Sequence, residues 1–321
     1  MYRQFIFALA TAAITAMTYA QEAWPSKVVT IVVPFSPGAS NDAIARYLAN
    51  GLGKKWNKNV IVENKPGAGG SVGSAQVARA QADGHTLLFM SSAFTTMAAS
   101  NTPKELGFDA MAEIAPVAMV ARAQLVLVTG PTVKAKNFAE FLPEAKSRPL
   151  FVATPGVNSA SHFASEAFQM ATGLKFDSVN YKGGNEAMLD VMAGRADVYF
   201  GTVASTTPFL KDGKMRAMSV LSADRATVLP EIPNVFEVGY KDAEFSFWWG
   251  MFAPFKTPQT IIDKVNADIT ALMGDAEGRK FLDNLGAGVS PMPVGAFKGV
   301  VSSEITRWTK VADRIKAQSK K

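Results

Sequence analysis

Residues 28–90 alternate three strand-length apolar runs with two longer stretches of helical spacing, and this alternation constrains the fold more than any other feature. The runs are 28–34 (VVTIVVP), 59–63 and 86–90. Between them, 41–53 places Ala43, Ile44, Tyr47, Leu48 and Leu52 along a helix, and 71–82 reads as a second helix. A strand, a helical crossover and another strand is the connection a parallel pair requires, so the order predicts a doubly wound parallel sheet. Such sheets take their ligands beyond the C-terminal ends of the strands.

The pattern then recurs. Residues 115–130 hold two apolar runs broken by Arg122 and Gln124, polar residues placed where a strand can pass between lobes. Strands follow at 150–154, 177–180 and 197–200, helices at 159–171 and 185–194, and 215–221 reads as the strand that leads back. Two α/β blocks joined by crossing strands predict a bilobal protein with a central cleft. The expected division is 21–123 plus 222–321 for lobe 1 and 124–221 for lobe 2. A strand at 245–254 and helices at 259–273 and 294–317 complete the chain, and pattern alone assigns them to neither lobe.

The first twenty residues stand outside this scheme. Arg3 precedes an apolar run at 5–16, and Thr18-Tyr19-Ala20 supplies small residues at a cleavage site. That predicts a signal peptide cleaved near Ala20, because a membrane span needs about 20 apolar residues. With no cysteine there is no lipid attachment site and no disulfide framework, so the expected product is a free periplasmic protein. Zero Cys and only His85 and His162 argue against a transition-metal site, and no cofactor is expected. The net charge of +6 is spread along the chain apart from the last helix, without the basic stripe that nucleic-acid binding needs. It suits an anionic solute, and a monomer is expected.

Three strand-to-helix junctions share one character: 34–42 (PFSPGASND), 66–71 (PGAGGS) and 154–159 (TPGVNS). Free N–H groups at helix starts can cradle a carboxylate without a charged side chain. Glycine allows close approach, and Ser40, Ser71 and Ser159 can add hydroxyl donors or simply cap their helices. Asp42, just inside the first helix, suits a supporting role for the preceding loop, since a second anion beside a carboxylate would repel it. Gly67–Gly73 follows the second strand with the wrong glycine register for a dinucleotide fingerprint, and there is no phosphate-loop lysine. His162 with Ser159 or Ser161 and Glu166 invites a hydrolase reading, but no G-x-S-x-G elbow accompanies it.

The runs WPSKVVTIVVPFSPGASNDAIARYLA and VIVENKPGAGGSVGSAQVARAQADGHTLLF resemble the start of mature Bug-family receptors, the solute-binding proteins of tripartite tricarboxylate transporters. FVATPGVNSASHFASEAF, NYKGGNEAMLDVMAGRADVYF, GKMRAMSVLS, FWWGMFAPFKTP and EITRWTKV continue the resemblance along nearly the whole mature chain. It implies a type II periplasmic-binding-protein fold that closes on a carboxylate and delivers it to membrane transporter subunits. The candidate ligand-binding set in the first lobe is Phe35, Ser36, Gly38, Ala39, Ser40, Asn41, Gly70, Ser71, Ser91 and Ser92, with Asp42 as loop support. In the second lobe it is Thr154, Asn158, Ser159, His162, Tyr181, Lys182, Gly201 and Thr202. Lys182 either pairs with a second carboxylate or is a solvated turn residue. Ala39 stands where a second glycine is common, Asn41 where threonine is frequent, and Thr202-Val203-Ala204 lacks an Asp-Asn often found there. Phe94, Phe163, Trp248 and Trp249 suit either an aromatic dicarboxylate such as terephthalate or plain core. Citrate, other aliphatic di- and tricarboxylates and acidic amino acids are the alternatives. A secreted serine esterase and a periplasmic sensor partner are the rivals from other classes.

Overall fold

The computed structural model describes residues 24–38, 40–157, 159–181 and 183–318. The expected signal at 1–20 and three expected site residues, Ala39, Asn158 and Lys182, lie outside the described residues.

In the first lobe, β1 (Val29–Val33), β2 (Val60–Asn64) and β3 (Thr86–Ser91) are linked by α1 (Ser40–Trp56) and α2 (Ser71–Ala78). β1 pairs in parallel with both neighbours, Ile31 level with Val62 and Leu87. Its side chains are buried on both faces: Ile31 and Val33 pack under α1, while Val32 joins Met90, Phe252 and Phe297 beneath the other face. Two-sided burial is why this run is almost wholly β-branched rather than alternating.

After α3 (Ala93–Ser100) and α4 (Pro103–Leu106), the chain enters β4 (Ile114–Thr129), one strand of 16 residues where the sequence suggests two runs. Arg122 and Gln124 do not break it. They point away from the core on a pleated strand while Ala121, Ala123 and Leu125 point into it. The part from Ile114 to Gln124 pairs with β9 (Ser246–Pro254), and Leu125 to Thr129 pairs with β7 (Val198–Thr202). The first crossing between lobes therefore falls at 124–125.

The second lobe contains α5 (Phe138–Ser147), β5 (Leu150–Thr154), α6 (Ala160–Thr172), β6 (Phe176–Asn180), α7 (Gly184–Met192), β7, α8 (Val203–Lys211) and β8 (Arg216–Val220). Its strand order β6-β5-β7-β4 repeats the first lobe's β2-β1-β3-β9. The chain is thus an α/β protein of two doubly wound lobes joined by two crossing strands. The pattern predicts a return to lobe 1 after residue 221, whereas the structure returns only at 245–246. Val235, Ala243 and Phe245 still pack into the second lobe's core, and Phe245 N–H donates to Leu221 O before Ser246 pairs with Gln124.

The final segment comprises α9 (Gln259–Gly274), α10 (Ala276–Asn284), β10 (Gly288–Val289) and α11 (Val294–Gln318). α9, α10 and β10 belong to the first lobe, with Ile262, Val265, Leu282 and Ala287 in its core. α11 belongs to both: Phe297 and Val301 sit in the first core, Trp308, Val311 and Ala312 in the second. Among the described residues, no helix is long and apolar enough to cross a membrane.

Candidate functional site

The parallel strands of each lobe run toward the crossing, so the tips of β1, β2 and β3 face the second lobe and those of β5, β6 and β7 face the first. This gathers the three predicted junctions at one level of the molecule.

The loop after β1 is fixed by Asp42, which is buried in the first turn of α1. Its Oδ2 accepts from Gly38 N–H at 3.1 Å and from Arg46 Nε at 2.9 Å; its Oδ1 accepts from Asn64 Nδ2 at 2.9 Å. Asn64 Nδ2 also donates to Phe35 O at 3.1 Å, closing the loop onto the end of β2. The Arg46 bond, with those from Asn64 and Gly38, holds the Asp42 carboxyl below the ordinary aspartate range despite burial. Arg46 and Asn64 are absent from the expected site; the Asp42–Arg46 spacing of four was the available signal for the first. Asn41 Oδ1 is buried without a hydrogen-bond partner among the described residues.

The loop at 67–70 holds positive φ at four successive residues: 140°, 45°, 65° and 101°. Gly70 is required by packing as well, since a Cβ there would lie 2.6 Å from the Met90 methyl and 3.5 Å from Pro34. The two first-lobe loops thus abut. Beside them, at the tip of β3, Ser92 N–H donates to Trp248 O at 2.8 Å, and Ser92 Oγ is buried without a partner among the described residues. Ser91 Oγ accepts from Ala93 N–H at 3.4 Å.

In the second lobe, Thr154 Oγ1 bonds Asn180 Oδ1 at 2.8 Å, and Tyr181 N–H donates to Thr154 O at 2.8 Å. These contacts bring the tips of β5 and β6 together. Ser159 caps α6, its Oγ accepting from His162 N–H at 3.2 Å, and Thr202 caps α8 by accepting from Ser205 N–H at 3.3 Å. Replacing Ser159 by alanine should cost about 1 kcal/mol of stability, read as a lower unfolding midpoint in urea. The Tyr181 hydroxyl donates to Asp190 Oδ2 at 2.7 Å, and burial together with that carboxylate pushes its pKa to about 12. Burial lowers the His162 pKa, favouring the neutral ring. Glu166 is turned to Gln169 Nε2 at 2.8 Å and to Arg314 Nε at 3.5 Å.

Phe94, Phe163, Trp248 and Trp249 all lie in the cores, at most 2% exposed. The partly open rings near the cleft are instead Phe35, on the first loop, and Phe247, on the returning strand. A cavity of about 900 Å³ separates the lobes at the crossing, with Arg122, Gln124, Ala204, Asp224 and Gly286 among its walls. Among the described residues, none of the predicted site residues lines it, although Val203, directly after Thr202, does. Among the described residues there is no cluster of His, Asp and Glu able to hold a metal ion.

Two doubly wound lobes joined by crossing strands, with the tips of each lobe's parallel strands facing the other lobe, define the class: a two-lobed solute-binding protein. Residues 44–316 match the family model described as "Tripartite tricarboxylate transporter family receptor". The chain belongs to that family, and it is a solute-binding receptor rather than an enzyme. It is 32% identical to Protein BugT of Bordetella pertussis over 97% of this chain and 96% of that protein. Among solved structures, it superposes on the periplasmic binding protein BugD with a TM-score of 0.76 and 31% identity, covering 91% of this chain and 98% of BugD. MatC from Rhodopseudomonas palustris with bound malate gives 0.77 at 27% identity, covering 90% of this chain and 100% of MatC. The R. palustris protein Rpa4515 with adipate gives 0.78 at 28%, covering 90% and 97% respectively.

Proposed function

We propose that the chain captures a small dicarboxylate in the periplasm by closing its two lobes, and passes it to the membrane subunits of a tripartite transporter. The observation that carries this reading is the first-lobe cradle. Asp42 and Asn64 pin the loop ahead of the first helix start against a glycine loop, and the Asp42 charge is taken up by Gly38 N–H, Arg46 and Asn64. The malate and adipate complexes of similar receptors support the ligand class. In this reading Phe35 to Asn41, Gly70, Ser71, Ser91 and Ser92 hold one carboxylate. Thr154 to His162, Tyr181, Lys182, Gly201 and Thr202 face the other, and Phe35 and Phe247 flank the carbon skeleton. Terephthalate is the aromatic member of the class, and ring contact with those two side chains is what would favour it. The segment 1–20 acts as the export signal, and the receptor works as a monomer.

The test is a thermal-shift series on protein lacking residues 1–20, with succinate, malate, adipate, citrate, aspartate, benzoate and terephthalate. Saturable stabilisation by a dicarboxylate, absent with benzoate, is expected, because a ligand that binds only the folded state raises stability by mass action. No shift with any dicarboxylate sinks the proposal.

A further inference from the structure

The strap helix α11 presents one buried acid to the hinge. Glu304 is 8% exposed, and Trp248 Nε1 donates to its carboxyl at 3.0 Å from each oxygen. Thr95 Oγ1 lies 3.0 Å from Glu304 Oε2 and 2.8 Å from Ser92 O. Trp248 O in turn accepts the Ser92 N–H. One carboxyl therefore touches both residues that hold the backbone of Ser92, whose own hydroxyl is buried and unpartnered among the described residues.

Proton accounting separates the two states of this acid. A threonine hydroxyl has a single hydrogen. If Glu304 is ionised, Thr95 must turn that hydrogen away from Ser92 O to serve the carboxylate. A neutral carboxyl donates to Thr95 Oγ1 and leaves it bonded to Ser92 O. Among the described residues no cation lies within ion-pair distance of Glu304, and the Arg307 charge acts on it only from farther away, opposing the effect of burial. Arg307, on the same helix, spends its guanidinium on Asp242 O and Glu244 O and lies over the Trp308 ring. α3 and β9 carry no ionisable side chain, and Arg122, the only one on β4, directs Nε to Met119. Among the other groups on packed elements, His162 and Glu166 lie on α6, the latter bonded to Arg314, while on α9 Lys264 pairs with Asp268 and Asp263 accepts from Gln259.

We propose that Glu304 is a positioning residue for the ligand site: its neutral carboxyl, through Thr95 and Trp248, sets the Ser91–Ser92 segment and ties it to the helix gripping the second lobe. The inference rests on the reading of that segment as part of the carboxylate cradle. Burial pushes the Glu304 pKa up to about 7, which places the change of state near neutral pH.

The experiment measures binding of malate, adipate and terephthalate by calorimetry between pH 5.5 and 8.5, for wild type, Glu304→Gln, Glu304→Leu and Thr95→Val. Wild-type affinity is expected to fall about fivefold as pH rises through 7. Glu304→Gln, which keeps a donor for Thr95 and an acceptor for Trp248, should hold the acid-side affinity and flatten the profile. Glu304→Leu and Thr95→Val, confirmed folded by circular dichroism, should bind about tenfold more weakly at pH 6. Wild-type affinity in both folded variants, or an unchanged pH profile in Glu304→Gln, overturns the inference alone. Failure of the wild type to bind any probe overturns the carboxylate reading and this inference with it.

Discussion

Replacing Asp42 by alanine should weaken dicarboxylate binding about 100-fold, a loss of ~2.8 kcal/mol in binding free energy. The carboxyl is the common acceptor for Gly38 N–H, Arg46 Nε and Asn64 Nδ2. Its removal strands a loop amide and frees Asn64 from the position in which it also donates to Phe35 O. Gly38 lies in an exposed stretch, so the loss is mainly one of order: a loop released from its anchor regains the entropy that binding must then remove again. Arg46 is half exposed, so its ion pair contributes little beyond geometry. The pH dependence has a definite sign. The folded carboxyl is held below the ordinary value of 3.8, so its contribution is complete above that value and is lost as pH falls through the lower folded one. Calorimetric titration at pH 7 checks the affinity, and Asp42→Ala binding within threefold of wild type would contradict the anchoring role.

The second large effect is expected from a wedge at the opposite end of the cleft. Gly286, between α10 and β10 of the first lobe, has φ 60°, and a Cβ built on it would lie 1.9 Å from Ala204 Cβ and 2.9 Å from its Cα. Ala204 stands in the first turn of α8 in the second lobe. Backbone and helix start cannot both stay in place, so Gly286→Val must push the lobes apart at the crossing. Closure then stops short, and affinity should drop about 30-fold while each lobe keeps its own core. Small-angle scattering with saturating malate should show the variant more extended than wild type. Paired with Ala204→Gly, the milder Gly286→Ala should regain part of its affinity, since the Cβ–Cβ overlap is removed; the remaining deficit reflects the 2.9 Å approach to the residue-204 Cα and the left-handed backbone, the latter about 1–2 kcal/mol. A Gly286→Val protein as compact and as tight-binding as wild type rules out contact between these segments during closure.

The two lobes were readable because β1 is buried on both faces, β5 at every residue but Phe151, and the crossover helices α1 and α6 are long enough to show their period. Boundaries slipped where local signals mislead. α8 contains Pro208 and three threonine or serine hydroxyls bonded back to its own turn, so it shows no apolar period although Val203 and Thr206 are buried. Residues 222–245 contain little regular structure, and only Val235, Ala243 and Phe245 reveal that they stay with the second lobe. The Bug-like runs pointed to the family, and the family model agrees over residues 44–316.

What the sequence determined by itself was local: alternation of strand and helix, glycine at backbone positions of positive φ, and small polar residues at helix starts. Each depends on a few neighbouring residues, so each is written in a short string. What the tertiary structure alone decided is non-local. Asn64 reaches back to the first loop across 29 residues, Glu304 meets Thr95 across 209, and Gly286 meets Ala204 across the cleft. No periodicity announces such contacts, because they arise only when strand order and the strap helix bring separate segments within hydrogen-bond or van der Waals reach.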